Sequence, residues 1–221
     1  MRIGLMGCGN MGGAIMKSIA LSKEFSKKDL FAFDVNSDKL KTFSSGLGIH
    51  ACSSAVDLVQ KSEVVILACK PKDMPSLCAE ISSLVSSNHL VISIAAGISL
   101  KFYEKEFKLA RVIRVMPNLP LLVNEGMSTF VLGKKAIQAD RKLVEQIFGL
   151  KGKTLEVSDD LMDISTIAFA SMPGWCAYLM DIFIQASKKH GFTEQQAELV
   201  IAQAFRELEN IFWKRRSSLL N

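Results

Sequence analysis

Six residues near the start of the chain, Gly7-Cys8-Gly9-Asn10-Met11-Gly12, restrict its folding more than any other stretch. They follow the apolar run Ile3-Gly4-Leu5-Met6 and open a segment of helical period, so the glycines fall between a strand and a helix. At this spacing Gly7 allows a tight turn, Gly9 lets the backbone come close to a pyrophosphate, and Gly12 lets the helix lie against the strand. The first turn of that helix then presents N–H groups and the positive end of a helix dipole to an anion. An ordinary glycine turn is the plainer alternative. The motif stands at the head of an alternating series of strands and helices, and that position favours a dinucleotide site.

The expected strands are residues 3–6, 30–33, 49–51, 64–68, 90–93, 112–115, 127–131 and 154–157. Helical periods fall at 12–21, 37–45, 55–61, 74–85, 99–107 and 139–148, with Asn36-Ser37-Asp38 and Ser53-Ser54 as N-caps. After Ser158-Asp159-Asp160 the strand signals stop. Helical stretches follow at 161–170, 175–189 and 194–214, with Gly191 ending one and Thr193 with Gln196 forming a capping box for the next. The fold class expected is α/β, a Rossmann-type doubly wound parallel sheet over residues 1–157 followed by a small all-helical domain over 158–221. A three-helix unit of about 60 residues hides little of its own apolar surface, so these helices are expected to form a homodimer or higher homo-oligomer.

Composition narrows the function classes. With 49% hydrophobic residues in 221, the chain can fill a core and is not disordered. Its net charge of +5 is scattered, and the densest basic run, Lys214-Arg215-Arg216, is expected to be a solvated helix end. No basic stripe is interleaved with aromatics, which argues against a nucleic-acid partner. Five cysteines, without a C-x-x-C pair and mostly inside apolar runs, suit reduced core thiols of a cytoplasmic protein. No continuous apolar stretch reaches the roughly 20 residues of a membrane span, and glycines break up any leader-like N-terminus, so no membrane partner is expected. His50, His89 and His190 are isolated, and no metal-ligand spacing, paired carboxylate or Ser/His/Asp set is present, so no metal is expected.

Other candidates fall at the ends of the expected strands. Asp34 closes the second strand, where a carboxylate can accept from an adenosine ribose; a free acid there disfavours a 2′-phosphate and leans to NADH. The alternative is a helix cap. Lys70-Pro71 and Ala95-Ala96-Gly97 close two further strands at the edge where an open α/β sheet binds ligands, although solvated loops would look the same. Asn118, stiffened by Pro117 and Pro120, could orient a nicotinamide or a substrate, or merely sit in a rigid turn.

Together these residues resemble the pyrroline-5-carboxylate reductase family. The resemblance is carried by Gly7 to Gly12, Leu67-Ala68-Cys69-Lys70-Pro71, Ser93-Ile94-Ala95-Ala96-Gly97-Ile98, and Met116-Pro117-Asn118-Leu119-Pro120 with Asn124-Glu125-Gly126-Met127. It implies reduction of the cyclic imine 1-pyrroline-5-carboxylate to L-proline, the last step of proline biosynthesis, with NAD(P)H, family use including NADPH. It further implies that Gly7, Gly9, Asn10 and Met11 line the pyrophosphate, Asp34 and Asn36 the adenosine ribose, and Lys70, Pro71, Ala95 and Gly97 the nicotinamide half. Asn118 would lie beside the nicotinamide and substrate, and the helical domain would form the dimer.

Two departures stand out. The family's Ser-Gly-Ser-Gly-Pro-Ala-Tyr turn, which helps to hold the substrate carboxylate, is replaced by Ser171-Met172-Pro173-Gly174-Trp175-Cys176-Ala177-Tyr178, leaving Ser171 as a displaced substitute. The family's later Ser-Pro-Gly-Gly-Thr-Thr turn, with its threonine near the imine nitrogen, has no counterpart before Asn221, so the helical domain reads as truncated and no catalytic residue is assigned. A catalytically impaired, dinucleotide-binding paralogue with a regulatory or assembly role is the alternative expectation. A hydroxyacid dehydrogenase on the same plan would want Lys-x-x-x-Asn, whereas Lys188 and Lys189 are followed at that spacing by Phe192 and Thr193.

Overall fold

Eight strands are described: β1 (Ile3–Met6), β2 (Leu30–Phe33), β3 (His50–Ala51), β4 (Val64–Leu67), β5 (Leu90–Ser93), β6 (Arg111–Pro117), β7 (Gly126–Leu132) and β8 (Gly152–Glu156). In this computed structural model, which describes residues 1–219, they form one sheet in the order β3-β2-β1-β4-β5-β6-β7-β8. The runs of β1, β4 and β5 are buried at every residue, as expected of strands covered on both faces. Strands β3 to β6 are all parallel in that order, and the chain reverses direction of growth between β1 and β4.

Helices α1 (Asn10–Leu21), α2 (Ser37–Leu47) and α6 (Gln138–Gly149) cover one face, where Ile3, Leu5, Ile15, Met16, Leu40 and Phe148 share a core. On the other face lie α3 (Ala55–Lys61), α4 (Met74–Ile81), α5 (Leu100–Glu106) and α7 (Asp159–Ser165), packed through Met6, Leu58, Cys78, Tyr103 and Met162. Caps follow the sequence. Asn36 Oδ1 accepts from Lys39 N–H at 2.9 Å, and Ser54 Oγ accepts from Asp57 N–H at 3.0 Å.

The parallel expectation fails at one pair. β7 runs antiparallel to β6, because residues 118–125 join them through a 3-10 turn, Leu119–Val123, and a left-handed Asn124 (φ 67°). So short a connection cannot carry a crossover helix.

The chain divides into two compact units, Met1–Ala170 and Ser171–Asn221, a later boundary than the expected 157/158. The reason is α7. Its Met162 is fully buried in the first unit's core, and its Asp163 accepts from Arg114 of β6, a buried arginine, at 2.7 Å. Within the second unit, α8 (Met172–Lys189) and α9 (Glu194–Leu219) form a helical hairpin around Gly191 (φ 100°). The capping box forms: Thr193 N–H donates to Gln196 Oε1 at 3.0 Å and Gln196 N–H to Thr193 Oγ1 at 3.3 Å. Trp175, Tyr178, Ile182, Phe183, Leu199 and Val200 are exposed, and among the described residues of this unit only Ala197 is buried. The side chains of Lys214-Arg215-Arg216 lie outside the described residues.

The run Asp159–Lys189 is apolar on average but holds no uninterrupted apolar stretch of membrane-spanning length. By length and composition alone, with an 18-residue window of mean hydropathy 1.4, it passes for a membrane span, but α7 within it packs Met162 into the first unit's core. Scattered Ser, Thr, Pro and Gly interrupt the apolar residues there, so a search for continuous runs passes over it.

All five cysteines are free, and Cys8, Cys52 and Cys78 are buried. Burial pushes the Cys8 and Cys78 thiols up to about 12, and those of Cys52 and Cys69 up to about 11, from 9.0. The folded chain therefore holds protons that the unfolded chain releases first as pH rises, so this contribution to stability is complete below pH 9 and lost above it. The urea midpoint should accordingly fall between about pH 8 and about pH 10.5, and Cys78→Ala should flatten the decline. A midpoint constant across that range would contradict burial of these thiols.

Candidate functional site

The C-terminal ends of β2, β1, β4, β5 and β6 are neighbours, and the residues following them form one edge of the sheet. Backbone hydrogen bonds continue past the strands and align these loops: Gly7 N–H donates to Phe33 O, Ala68 N–H to Met6 O, and Ile94 N–H to Leu67 O, at 2.8, 2.8 and 3.0 Å. Gly7, Gly9, Asn10, Met11, Asp34, Asn36, Lys70, Pro71, Ala95, Gly97 and Asn118 thereby come to a single edge. Ser171 lies in the other compact unit.

The three glycines divide by environment. Gly7 takes φ 100°, and a Cβ there would lie 2.8 Å from the carbonyl oxygen of Ala68. A Cβ on Gly12 would sit 2.2 Å from Gly7 O and 2.7 Å from Ala68 Cβ, so this glycine is what lets α1 approach β1 and β4. At Gly9 a Cβ would meet nothing within 4 Å. The open position is the one the motif reserves for close approach of a pyrophosphate. Gly9 also caps α1 without a side-chain bond, and no acidic residue lies in the first turn, so the positive helix end stays available to an anion.

Beside the turn, Asp34 is not a free acid. Its Oδ2 accepts from Cys8 N–H at 2.7 Å, with Lys39 Nζ 3.4 Å away, and its Oδ1 accepts from Asn36 N–H at 3.0 Å. Asn36 in turn caps α2 through its side chain. A cavity of about 720 Å³ opens here, lined by Asp34, Val35, Ser37, Lys41 and Ser53 among others.

Farther along the edge, Lys70 and Pro71 are exposed and Pro71 begins a 3-10 turn. The Ala95 loop is pinned from below. Ala95 N–H donates to Ser93 Oγ at 3.3 Å, and Ser93 Oγ donates to the buried Tyr103 hydroxyl at 2.6 Å. Burial pushes that phenol up to about 12, so it stays protonated at neutral pH. Asn118, 8% exposed, accepts through Oδ1 from Met127 N–H at 2.8 Å and so ties the two halves of the motif 116–127 across the β6–β7 connection. The amide's NH₂ end remains the part able to serve a ligand.

Ser171 is exposed at the start of α8, its carbonyl accepting from Gly174 N–H at 3.1 Å. With Gly174, Trp175 and Tyr178 it lines a cavity of about 440 Å³. Sequence reasoning missed Tyr103 and Arg114, and named Ser93 only as part of the motif 93–98 without a role. Arg114 left a signal, a charge inside the apolar run Val112-Ile113-Arg114-Val115-Met116 with Asp159 and Asp163 four residues apart downstream. Among the described residues no group of three or more His, Cys, Asp or Glu could hold a metal.

Fold and edge define the class of this chain: a Rossmann-type protein with a dinucleotide-receiving turn and a separate helical unit. The family described as "NADP oxidoreductase coenzyme F420-dependent" matches residues 2–97. Over 203 residues the chain is 32% identical to the pyrroline-5-carboxylate reductase of Methanosarcina acetivorans, covering 91% of this chain and 75% of that one. It is 29% identical to the Escherichia coli reductase of that name, covering 92% and 76%. Among solved structures, the pyrroline-5-carboxylate reductase of Coxiella burnetii superposes with a TM-score of 0.89 at 25% identity, covering 96% of this chain and 80% of that one. The Plasmodium falciparum pyrroline carboxylate reductase with NADP bound gives 0.88 at 26%, covering 97% and 79%. The chain belongs to the pyrroline-5-carboxylate reductase family.

Two glycine substitutions separate ligand space from packing space. Gly9→Val should leave the unfolding midpoint nearly unchanged and abolish dinucleotide binding, whereas Gly12→Ala should cost about 1–3 kcal/mol of stability by overpacking. Fluorescence titration and urea unfolding check both. Retained binding in Gly9→Val would contradict the assignment of the turn.

Proposed function

We propose that this chain reduces 1-pyrroline-5-carboxylate to L-proline with NAD(P)H, as its family name indicates. The observation that carries the reading is the unobstructed Gly9 position above an uncapped helix N-terminus, aligned along one sheet edge with Lys70, Ala95, Gly97 and Asn118. When bound, the cofactor would supply a hydride to the C=N carbon of the imine, the ring nitrogen taking its proton from water. The chain's own part is placement. Gly7, Gly9, Asn10 and Met11 hold the pyrophosphate, and the region of Asp34 and Asn36 receives the adenosine half. Lys70, Pro71, Ala95 and Gly97 border the nicotinamide half. The Ser93–Tyr103 pair keeps the Ala95 loop from shifting under it.

Asn118 is the proposed substrate contact at the sheet edge; for Ser171, which lines a cavity of its own unit, a carboxylate contact is proposed separately. Because Asp34 has its oxygens engaged and Lys39 beside it, it does not select strongly against a 2′-phosphate, and both NADH and NADPH are proposed to serve. The exposed apolar face of α8 and α9 is proposed to pair with that of a second copy, and the free, buried thiols fit a reducing cytoplasm.

Two measurements test these proposals. NADH and NADPH should both be oxidised in the presence of pyrroline-5-carboxylate, with proline formed in equal amount; tight dinucleotide binding without turnover would favour the impaired paralogue. In sedimentation the chain should run as a dimer or larger, and Ile182→Glu should shift it to monomer. A wild-type monomer would rule out the helical interface.

A further inference from the structure

We propose that Asp34 is a positioning residue: its carboxylate clamps the glycine turn in the shape that receives a pyrophosphate, and does not read the adenosine ribose. The inference rests on the assignment of that turn as the pyrophosphate seat. Its basis is the set of partners the acid already holds. Cys8 N–H, donating to Oδ2 at 2.7 Å, lies midway between Gly7 and Gly9. Asn36 N–H, donating to Oδ1 at 3.0 Å, fixes the acid to the start of α2, and Lys39 Nζ stands 3.4 Å from Oδ2. The side chain is 11% exposed, and the two N–H groups and Lys39 take up three of the carboxylate's about four acceptor directions.

The physical need for a clamp lies in the turn itself. Gly7 and Gly9 flank Cys8, and glycines leave the backbone free to adopt many shapes. Gly7 N–H is already fixed to Phe33 O at 2.8 Å, so the acid supplies the second tie from the end of β2, one residue farther along. A turn held in its bound shape before the ligand arrives binds more tightly than one that must be ordered. Removing the clamp therefore weakens every ligand that uses the pyrophosphate seat, whatever its 2′ substituent. A ribose reader behaves differently: its loss is felt only by ligands carrying the 2′-hydroxyl, and it relieves repulsion of a 2′-phosphate.

The test is a cycle between residue and ligand group. Dissociation constants of NADH, NADPH and 2′-deoxy-NADH are measured by fluorescence on the full chain, for wild type, Asp34→Ala, Asp34→Asn and Gly9→Val, with unfolding midpoints in parallel. Asp34→Ala should weaken all three ligands by about tenfold and by the same factor. Asp34→Asn, which keeps one acceptor oxygen and the size of the side chain, should recover part of the loss and carries the test if the alanine variant does not fold. In turnover the Michaelis constant for the dinucleotide should rise while kcat at saturating dinucleotide stays unchanged, a split that general destabilisation would not produce. A loss confined to NADH, or a gain for NADPH, overturns the clamp. Unchanged affinities in both Asp34 variants while Gly9→Val loses binding also overturn it and leave the turn assignment standing. Retained binding in Gly9→Val overturns the assignment on which the clamp rests.

Discussion

Of the glycines at the ligand-facing edge, Gly12 has the least room: a Cβ there would lie 2.2 Å from the carbonyl oxygen of Gly7. That close fit brings the start of α1 down onto the end of β1 and aims its unpaired N–H groups along the sheet edge. Everything proposed for function depends on it. With α1 set back by a side chain, the helix end would no longer border the space above Gly9, and the loops after β4, β5 and β6 would surround no anion seat.

Second to that constraint comes a set of ties between loops that are distant in sequence. Asp34 holds Cys8, the Ser93–Tyr103 pair holds Ala95, and Asn118 holds Met127, at 2.7, 2.6 and 2.8 Å. Each binds a loop at the ligand edge to another element by a side chain that is buried or nearly so. These are the supports that let flexible, glycine- and alanine-rich segments keep one shape.

Much of this architecture is legible in the chain itself, because the signals are local. The glycine spacing, the four-residue apolar runs of β1, β4 and β5, and the Thr193–Gln196 box each depend on residues within a few positions of one another. What escapes is pairing across long separations. Nothing local says that Asp34 accepts from Cys8 N–H, or that Arg114 reaches Asp163 and so draws α7 into the first unit. The reversal at β7 is a consequence of connection length, readable only once both strand ends are known. In the helical unit the exposed aromatic and aliphatic side chains remain the feature least explained by a single copy of the chain.

The central claim is that a nicotinamide dinucleotide lies over the glycine turn, with its pyrophosphate on the α1 N-terminus. Amide hydrogen exchange of the full chain, with and without saturating NADPH, addresses it directly. Peptides covering residues 7–13 should gain strong protection, with smaller gains at 70–72 and 95–98, while the far end of the sheet at residues 86–90 stays unchanged. Protection that spares residues 7–13 and appears elsewhere would contradict the account.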